Sequence, residues 1–261
     1  MLDQNIIETG LQAVKTGGAI IKNHFGQPVT VTYKGKLDLV TEIDHRCENA
    51  IIDTLQRNFP DHGILAEERS ELTTASAYRW ILDPLDGTTN FAHGYPCFCV
   101  SLALEVNGCV AWGAVYDPIL GELFTAEQGR GAFCNGNPIR VSATDRLVRA
   151  MLCTGFPYDV HDSAENNLDY FLRFIKSARA VRRDGSAALD LCYVAMGRFD
   201  GFWELKLKPW DVAAGALIAA EAGAAVSGFT GNPFTMDSGK ILATNALIHS
   251  EMLEVLSGDA Q

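Results

Sequence analysis

The run Trp80-Ile81-Leu82-Asp83-Pro84-Leu85-Asp86-Gly87-Thr88-Thr89-Asn90 constrains this chain most, because a short apolar stretch opens straight into two carboxylates, a glycine and two threonines. An apolar run of this length suits a buried strand that delivers Asp83 to its carboxyl end. Pro84 has no N–H to give a ladder, so the strand is expected to stop there and let Asp83 and Asp86 curl round one point. Two carboxylates with a loop carbonyl, such as that of Leu85, match Mg²⁺, which takes oxygen ligands in octahedral geometry. Gly87 lets the backbone approach a ligand, and Gly87-Thr88-Thr89 can open a helix whose free N–H groups face an anion. Taken alone, D-x-x-D-G is also an ordinary capped turn, since Asp and Gly are common turn residues.

Three further segments supply acids that could join such a site. In Gly63-Ile64-Leu65-Ala66-Glu67-Glu68 an apolar stretch ends in paired acids, either of which can reach a metal or simply face solvent. In Asp38-Leu39-Val40-Thr41-Glu42-Ile43-Asp44, Thr41 at N-cap and Asp44 at N3 form a capping box before the apolar positions Cys47, Ile51 and Leu55. An acid at that position can cap and also accept a proton from a neighbouring hydroxyl. In Lys208-Pro209-Trp210-Asp211 the acid opens an apolar helix expected from Val212 to Ala222, where capping is its default role.

Together and in this order these segments resemble the inositol monophosphatase family of Mg²⁺-dependent phosphomonoesterases. Asp83-Pro84-Leu85-Asp86-Gly87-Thr88-Thr89-Asn90-Phe91 is similar to its first signature, and Trp210-Asp211-Val212-Ala213-Ala214-Gly215 through Glu221-Ala222-Gly223 to its second. Gly63 to Glu68 is similar to its acidic element, and Gly185-Ser186-Ala187-Ala188 with Glu204 to its substrate-contacting segments. The resemblance runs from about Ile6 to about Ile248. It implies an α/β fold, a layered αβαβα sandwich of the inositol monophosphatase and fructose-1,6-bisphosphatase type, with the site between the halves. It also implies that Glu67, Asp83 and the Leu85 carbonyl hold one Mg²⁺, that Asp83, Asp86 and Asp211 hold a second, and that a third leans on Glu67. Thr88 bonded to Asp44 is then the pair that orients and deprotonates the attacking water. Gly87, Thr88, Gly185, Ser186, Ala187, Glu204 and Asp211 meet phosphate or substrate. Li⁺ inhibition and a homodimer are further implications.

The chemistry needs such residues. A phosphate monoester repels nucleophiles and its alkoxide leaving group is poor; two cations about 3.5–4 Å apart address both problems. The chain carries 21 basic and 32 acidic residues for a net charge of −11, so a phosphorylated substrate is attracted only where metal reverses the field. Neither a basic stripe nor a stacked aromatic platform points to direct nucleic-acid binding. Arg182-Arg183 and Lys206 with Lys208 are the dense basic spots near the site segments. No apolar stretch is long enough for a membrane span, and the N-terminus lacks the basic start and apolar run of a signal peptide, so cytoplasm is the expected compartment. The seven cysteines, odd in number and mostly within apolar patterns, read as reduced core thiols.

One domain of two lobes, roughly 1–142 and 143–261, is expected, with 137–145 as the weakest seam. Ile7, Leu11, Val14 and Ile21 share one helical face, and Thr41 to about Asn58 makes a second helix. Cys97 to Val106 and Cys109 to Tyr116 read as a hairpin with a type I′ turn at Asn107-Gly108, followed by strands at Glu122 to Ala126 and Ala132 to Val141. Beyond Ser142, strands (Ala150 to Thr154, Ala180 to Arg183, Phe199 to Leu205) alternate with helices (Ala164 to Ser177, Ala187 to Met196, and that of Asp211), which is α/β layering. Against the best-known animal pattern, the loop Lys34-Gly35-Lys36-Leu37 is one residue short, leaving open which lysine nears the third cation. Asp184 beside Gly185 can alter substrate contacts, and Arg183 can meet a second phosphate or a partner subunit. The main expectation is hydrolysis of myo-inositol monophosphate. Its rivals are fructose 1,6-bisphosphate, histidinol phosphate or a nucleotide 3′-phosphate as substrate, and a regulatory protein that binds the transcription machinery.

Overall fold

The computed structural model describes residues 2–33 and 39–258, and Lys34 and Lys36 lie outside them. Helix α1 (Gln4–His24) starts at Asp3, whose carboxylate accepts the Asn5 N–H. Its buried face is Ile6, Ala13, Val14 and Ile21, with Gly10, Gly17 and Gly18 among them. The expected face is thus rotated: Ile7 and Leu11 are only half-buried, because glycines rather than large side chains mark the contact. A Cβ on Gly17 would fall 2.7 Å from Ile51 Cδ1, so glycine lets α1 lie close against the next helix. After the short antiparallel pair β1 (Val31–Tyr33) and β2 (Leu39–Thr41) comes α2 (Glu42–Asn58). Its capping box forms as expected, with Thr41 Oγ1 accepting the Ile43 N–H and Asp44 accepting the Thr41 N–H.

The two helices cover one face of a seven-stranded sheet, ordered β3 (Gly63–Ala66), β4 (Tyr78–Asp86), β5 (Cys99–Val106), β6 (Cys109–Asp117), β7 (Glu122–Glu127), β8 (Ala132–Cys134) and β9 (Asn137–Pro138). All neighbours are antiparallel except β3 and β4. Asn107 and Gly108 both have positive φ, as a type I′ turn requires. Trp80, Leu82, Leu102 and Leu104 face α1 and α2, while Ile81, Ala103, Val115 and Phe124 face the other way. Pro84 does not end β4. Pairing resumes at Asp86 opposite Cys99 after a register shift that begins at Asp83 opposite Ser101, so a bulge absorbs the missing N–H. A single turn, α3 (Thr88–Ala92), follows.

The stretch 139–146 has no regular structure but is tied down: Val141 N–H reaches Ala222 O at 3.2 Å and Ser142 Oγ reaches Asp200 at 2.5 Å. Then come β10 (Met151–Thr154), α4 (Leu168–Ser177), β11 (Ala180–Arg182), α5 (Ala187–Ala195), β12 (Gly201–Leu205), α6 (Pro209–Glu221), β13 (Ala225–Ser227), β14 (Lys240–Thr244) and α7 (His249–Ser257). The strands form a sheet in the order β11-β10-β12-β14-β13. α4 starts later than expected because Asn167, at φ 72°, spends its amide on Thr154 Oγ1, Gly155 O and the Trp203 indole N–H. α5 and α6 lie between the sheets, packing Ala188, Leu189, Cys192, Ala213 and Ala214 on the first and Leu191, Val194, Val212 and Ala216 on the second. α4 and α7 cover the outer face through Phe174, Met252 and Val255. The result is the αβαβα sandwich.

Candidate active site

The bulge of β4 turns Asp83 and Asp86 to the same end of the sheet. Asp83 is buried, and its Oδ1 accepts the Leu85 N–H at 2.9 Å. Asp86 Oδ2 accepts the Ser186 hydroxyl at 2.6 Å and the Ala188 N–H at 2.8 Å, so the first turn of α5 holds it. Ser186 therefore spends its hydroxyl on a carboxylate. Asp211 stands one turn inside expectation: Pro209 opens α6, and Asp211 Oδ2 caps it by accepting the Lys208 N–H at 2.7 Å. Pro209 suits the first helical position, where its missing N–H costs nothing. Glu67, just past β3, is anchored by its N–H to Leu82 O at 3.3 Å.

Electrostatics join these four acids. Burial pushes Asp83 well above the usual carboxylate range, and the charges of Glu67, Asp86 and Asp211 push it further. Asp211 is raised by burial and by Asp86 and Glu67, against the Lys208 N–H and ammonium. Asp86 is raised by burial and pulled back by Ser186 and the α5 N–H groups. Of the two adjacent glutamates, Glu67 is the one whose charge is felt by Asp83 and Asp211. Among the described residues, no three His, Cys, Asp or Glu side chains form a closed metal-ligand cluster. An all-oxygen donor set, with Asp83 buried and Glu67, Asp86 and Asp211 half-buried, that carries an excess of negative charge nevertheless fits a hard divalent cation.

Beside the acids, Thr88 Oγ1 donates to Asp44 Oδ1 at 2.9 Å and also stands 2.9 Å from Leu85 O. Asp44 is buried and its carboxyl is raised by that burial, against hydrogen bonds from Thr41 and Thr88. It caps α2 and grips Thr88 at once. Gly87, at φ 93°, caps α3, and a Cβ there would fall 2.8 Å from Cys97 O. No other residue fits that turn.

On the opposite side Glu204 is buried and pushed up to about 8, by desolvation first and then by Asp211 and Asp86, with Arg183 opposing. Arg183 is exposed, and Asp184 and Gly185 lead into α5. Burial raises Asp184 against the pull of Arg182. Two residues to which the sequence reading gave no role stand at the site. Asn90 donates to both Cys97 O and Asp184 O at 2.7 Å, tying the Asp184 loop to α3. Asp190, 1% exposed and four residues after Ser186, has an Oδ1 without a hydrogen-bond partner and is raised by burial, then by Asp184, Glu204 and Asp86. A lone acid in the apolar run 187–195 was the signal available. His93 is exposed at the end of α3, and Lys206 pairs with Asp159 at 2.6 Å. All seven cysteines are free thiols.

The sequence profile of the inositol monophosphatase family matches residues 2–260. The chain belongs to the inositol monophosphatase family. Similar relatives include "Inositol-1-monophosphatase" of Synechocystis sp., 44% identical over 260 residues that span 99% of this chain and 91% of the relative. "Nus factor SuhB" of Escherichia coli strain K12 is 41% identical, spanning 95% of this chain and 94% of its own. The structure of inositol monophosphatase from Anabaena (Nostoc) sp. PCC 7120 superposes with a TM-score of 0.89 at 41% identity, covering 98% of this chain and 96% of that one. This member of the inositol monophosphatase family is a phosphoric monoester hydrolase, and the family is generally metal-dependent. Among the described residues no helix is long and apolar enough to cross a membrane.

Proposed function

We propose that this phosphatase hydrolyses myo-inositol monophosphate, with Mg²⁺ held by Glu67, Asp83, Asp86, Asp211 and the Leu85 carbonyl, in two or three sites. The convergence of four acids from β3, β4 and α6 beside the Thr88–Asp44 pair carries the reading. Bound Mg²⁺ would supply positive charge against which water ionises and a leaving oxygen departs. Thr88 Oγ1 has one proton and two acceptors within reach; were the Leu85 carbonyl to hold the cation, Asp44 would take that proton. The Thr88 lone pairs then orient the attacking water, and Asp44 accepts the proton relayed through the hydroxyl. Gly87 and Thr88 at the start of α3 would meet the phosphate with backbone N–H groups, and Gly185, Ser186 and Ala187, whose turn holds Asp86, would edge the same side of the site. Glu204 offers a buried oxygen to a substrate hydroxyl, and Arg183 and Asp184 edge the same pocket. Lys34 and Lys36, the candidates for a third cation's surroundings, lie outside the described residues.

One chain acts as one domain of two lobes, 1–142 and 143–261, joined by α5 and α6, and works in the cytoplasm. The exposed stripe Leu168, Leu172 and Ile175 on α4 supports pairing with a second copy, which sedimentation tests. Phosphate release in Mg²⁺, with and without Li⁺, from inositol 1-phosphate, fructose 1,6-bisphosphate, histidinol phosphate and adenosine 3′,5′-bisphosphate tests the substrate. Preference for inositol 1-phosphate supports the reading, and preference for another ester moves it within the family. The relative named Nus factor favours a second reading, as a regulatory binding protein. Partners retained by Asp86→Asn after turnover is lost would support it.

A further inference from the structure

Helix α2 presents a second acid to the site region, one turn after Asp44. Glu48 is 2% exposed, and Cys47, Ile51 and Ile52 of the same helix are buried as well. Both of its oxygens are engaged: Oε2 accepts the Glu68 N–H at 2.9 Å, and Oε1 accepts the Arg69 Nε–H at 2.7 Å. Arg69 reaches on to Asn49 Oδ1 at 2.6 Å, so one guanidinium spans two consecutive residues of α2. Its side chain is 32% exposed where that of Glu48 is 2%, which makes this a carboxylate buried with its counter-ion at the rim.

The contacts bracket Glu67. Its own N–H is fixed to Leu82 O on β4, and the next N–H, that of Glu68, is fixed to Glu48 on α2. Farther along, the segment is pinned again where Leu72 bridges to Ile64 and Glu71 meets Arg79 at 2.9 Å. Residues four apart on a helix share a face, so Asp44 and Glu48 move together. The same face of α2 thus indexes both the Thr88 hydroxyl and the backbone that carries Glu67. Arg69 also offsets the charge of Glu48, which otherwise would stand as an unpaired buried carboxylate.

We propose that Glu48 and Arg69 form a positioning pair that sets the site's affinity for its divalent cation by fixing Glu67 against the α2 face bearing Asp44. The proposal rests on the reading of Glu67 as a metal ligand. Groups that orient ligands from outside commonly carry about 10–100-fold in metal affinity. The test titrates Mg²⁺ alone into the metal-free protein by calorimetry, and separately measures kcat at saturating Mg²⁺ and Tm in EDTA. It uses Arg69→Ala, Arg69→Lys and the double variant Glu48→Gln/Arg69→Ala, which leaves no buried charge unpaired. Expected are Mg²⁺ affinities about tenfold weaker for Arg69→Ala and the double variant and an intermediate loss for Arg69→Lys, with kcat at saturating Mg²⁺ within about twofold of wild type. Unchanged Mg²⁺ affinity in the double variant would overturn the proposal, as would a loss in Arg69→Ala that the double variant abolishes, since that marks an unpaired charge rather than lost positioning. Glu67→Gln run alongside separates the two claims: if it binds Mg²⁺ like wild type, the ligand reading itself fails.

Discussion

Asp86→Asn should change the sign of its effect with metal. The Asp86 carboxylate accepts from Ser186 and Ala188 through one oxygen, Oδ2, and an amide oxygen can keep both bonds. What the substitution removes is one negative charge from the group formed with Asp83, Asp211 and Glu67. Two ionised carboxylates about 4 Å apart at an effective dielectric of about 20 repel by about 4 kcal/mol. Proton uptake by the neighbours caps that penalty, which leaves a net gain of about 1–2 kcal/mol, or about 2–8 °C in Tm for a chain of this size. In EDTA the variant should therefore melt above wild type. In Mg²⁺ at about 100 times its dissociation constant wild type gains about 2.7 kcal/mol, a gain the variant largely loses with its ligand, so the order of Tm reverses. Scanning fluorimetry of both proteins in EDTA and in Mg²⁺, with phosphate release in parallel, reads the whole pattern. A variant that melts below wild type in EDTA and keeps the Mg²⁺ shift, or one that retains turnover, would refute the reasoning.

Thr88→Ala should lower kcat by about 10²–10⁴-fold, the range of positioned acid–base groups, while the calorimetric Mg²⁺ affinity stays within a few-fold; recovery by Thr88→Ser would tie the effect to the hydroxyl, and undiminished turnover would remove Thr88 from the mechanism. Asp83, Asp86 and Asp211 have folded pKa values raised above the carboxylate norm of 3.8, so the folded state binds more protons and these groups lose stability as pH rises from about 4. The Mg²⁺-induced rise in Tm should accordingly be larger at pH 8 than at pH 5, and an equal shift at both would contradict the assignment of these acids to the cation. Glu204→Ala should cost about tenfold in kcat/KM for a polyol phosphate, one hydrogen bond to a substrate hydroxyl, and much less for p-nitrophenyl phosphate; equal losses on both would show that Glu204 does not read the alcohol.

What was legible in the sequence was what local chemistry decides. The capping box of Thr41 and Asp44, the type I′ turn of Asn107-Gly108 and the helix start after Gly87 each depend on neighbours within four residues. The five-layer order followed from a resemblance spread over nearly the whole chain rather than from periodicity. What misled was set by distant partners. The α1 face rotates because Ile51 of α2 fills the space above Gly17, and α4 starts at Leu168 because Asn167 serves Thr154 and Trp203. β4 runs through Pro84 because β5 supplies a partner at both Asp83 and Asp86. The contacts of Asn90, Glu48 and Arg69 stayed hidden since they join residues far apart in sequence, and Asp190 offered only the signal of a lone acid in an apolar run.

The placement of the acids explains why they sit where they do despite their mutual repulsion. Asp86, Asp211 and Asp44 each also meet backbone N–H groups at a helix start: α5 for Asp86, α6 for Asp211 and α2 for Asp44. Such groups stabilise a carboxylate through hydrogen bonds and the positive end of the helix dipole, so Asp86 and Asp44 are held by N–H and hydroxyl donors, and Asp211 by the Lys208 N–H with only a lesser pull from the Lys208 ammonium. A lysine or arginine in those positions would neutralise the acids and compete with a cation for them. Helix N-termini stabilise the charge without competing for its outward lone pairs. The layered fold brings three such termini to one end of two sheets, and the negative charge they hold there is what the proposed cation site requires.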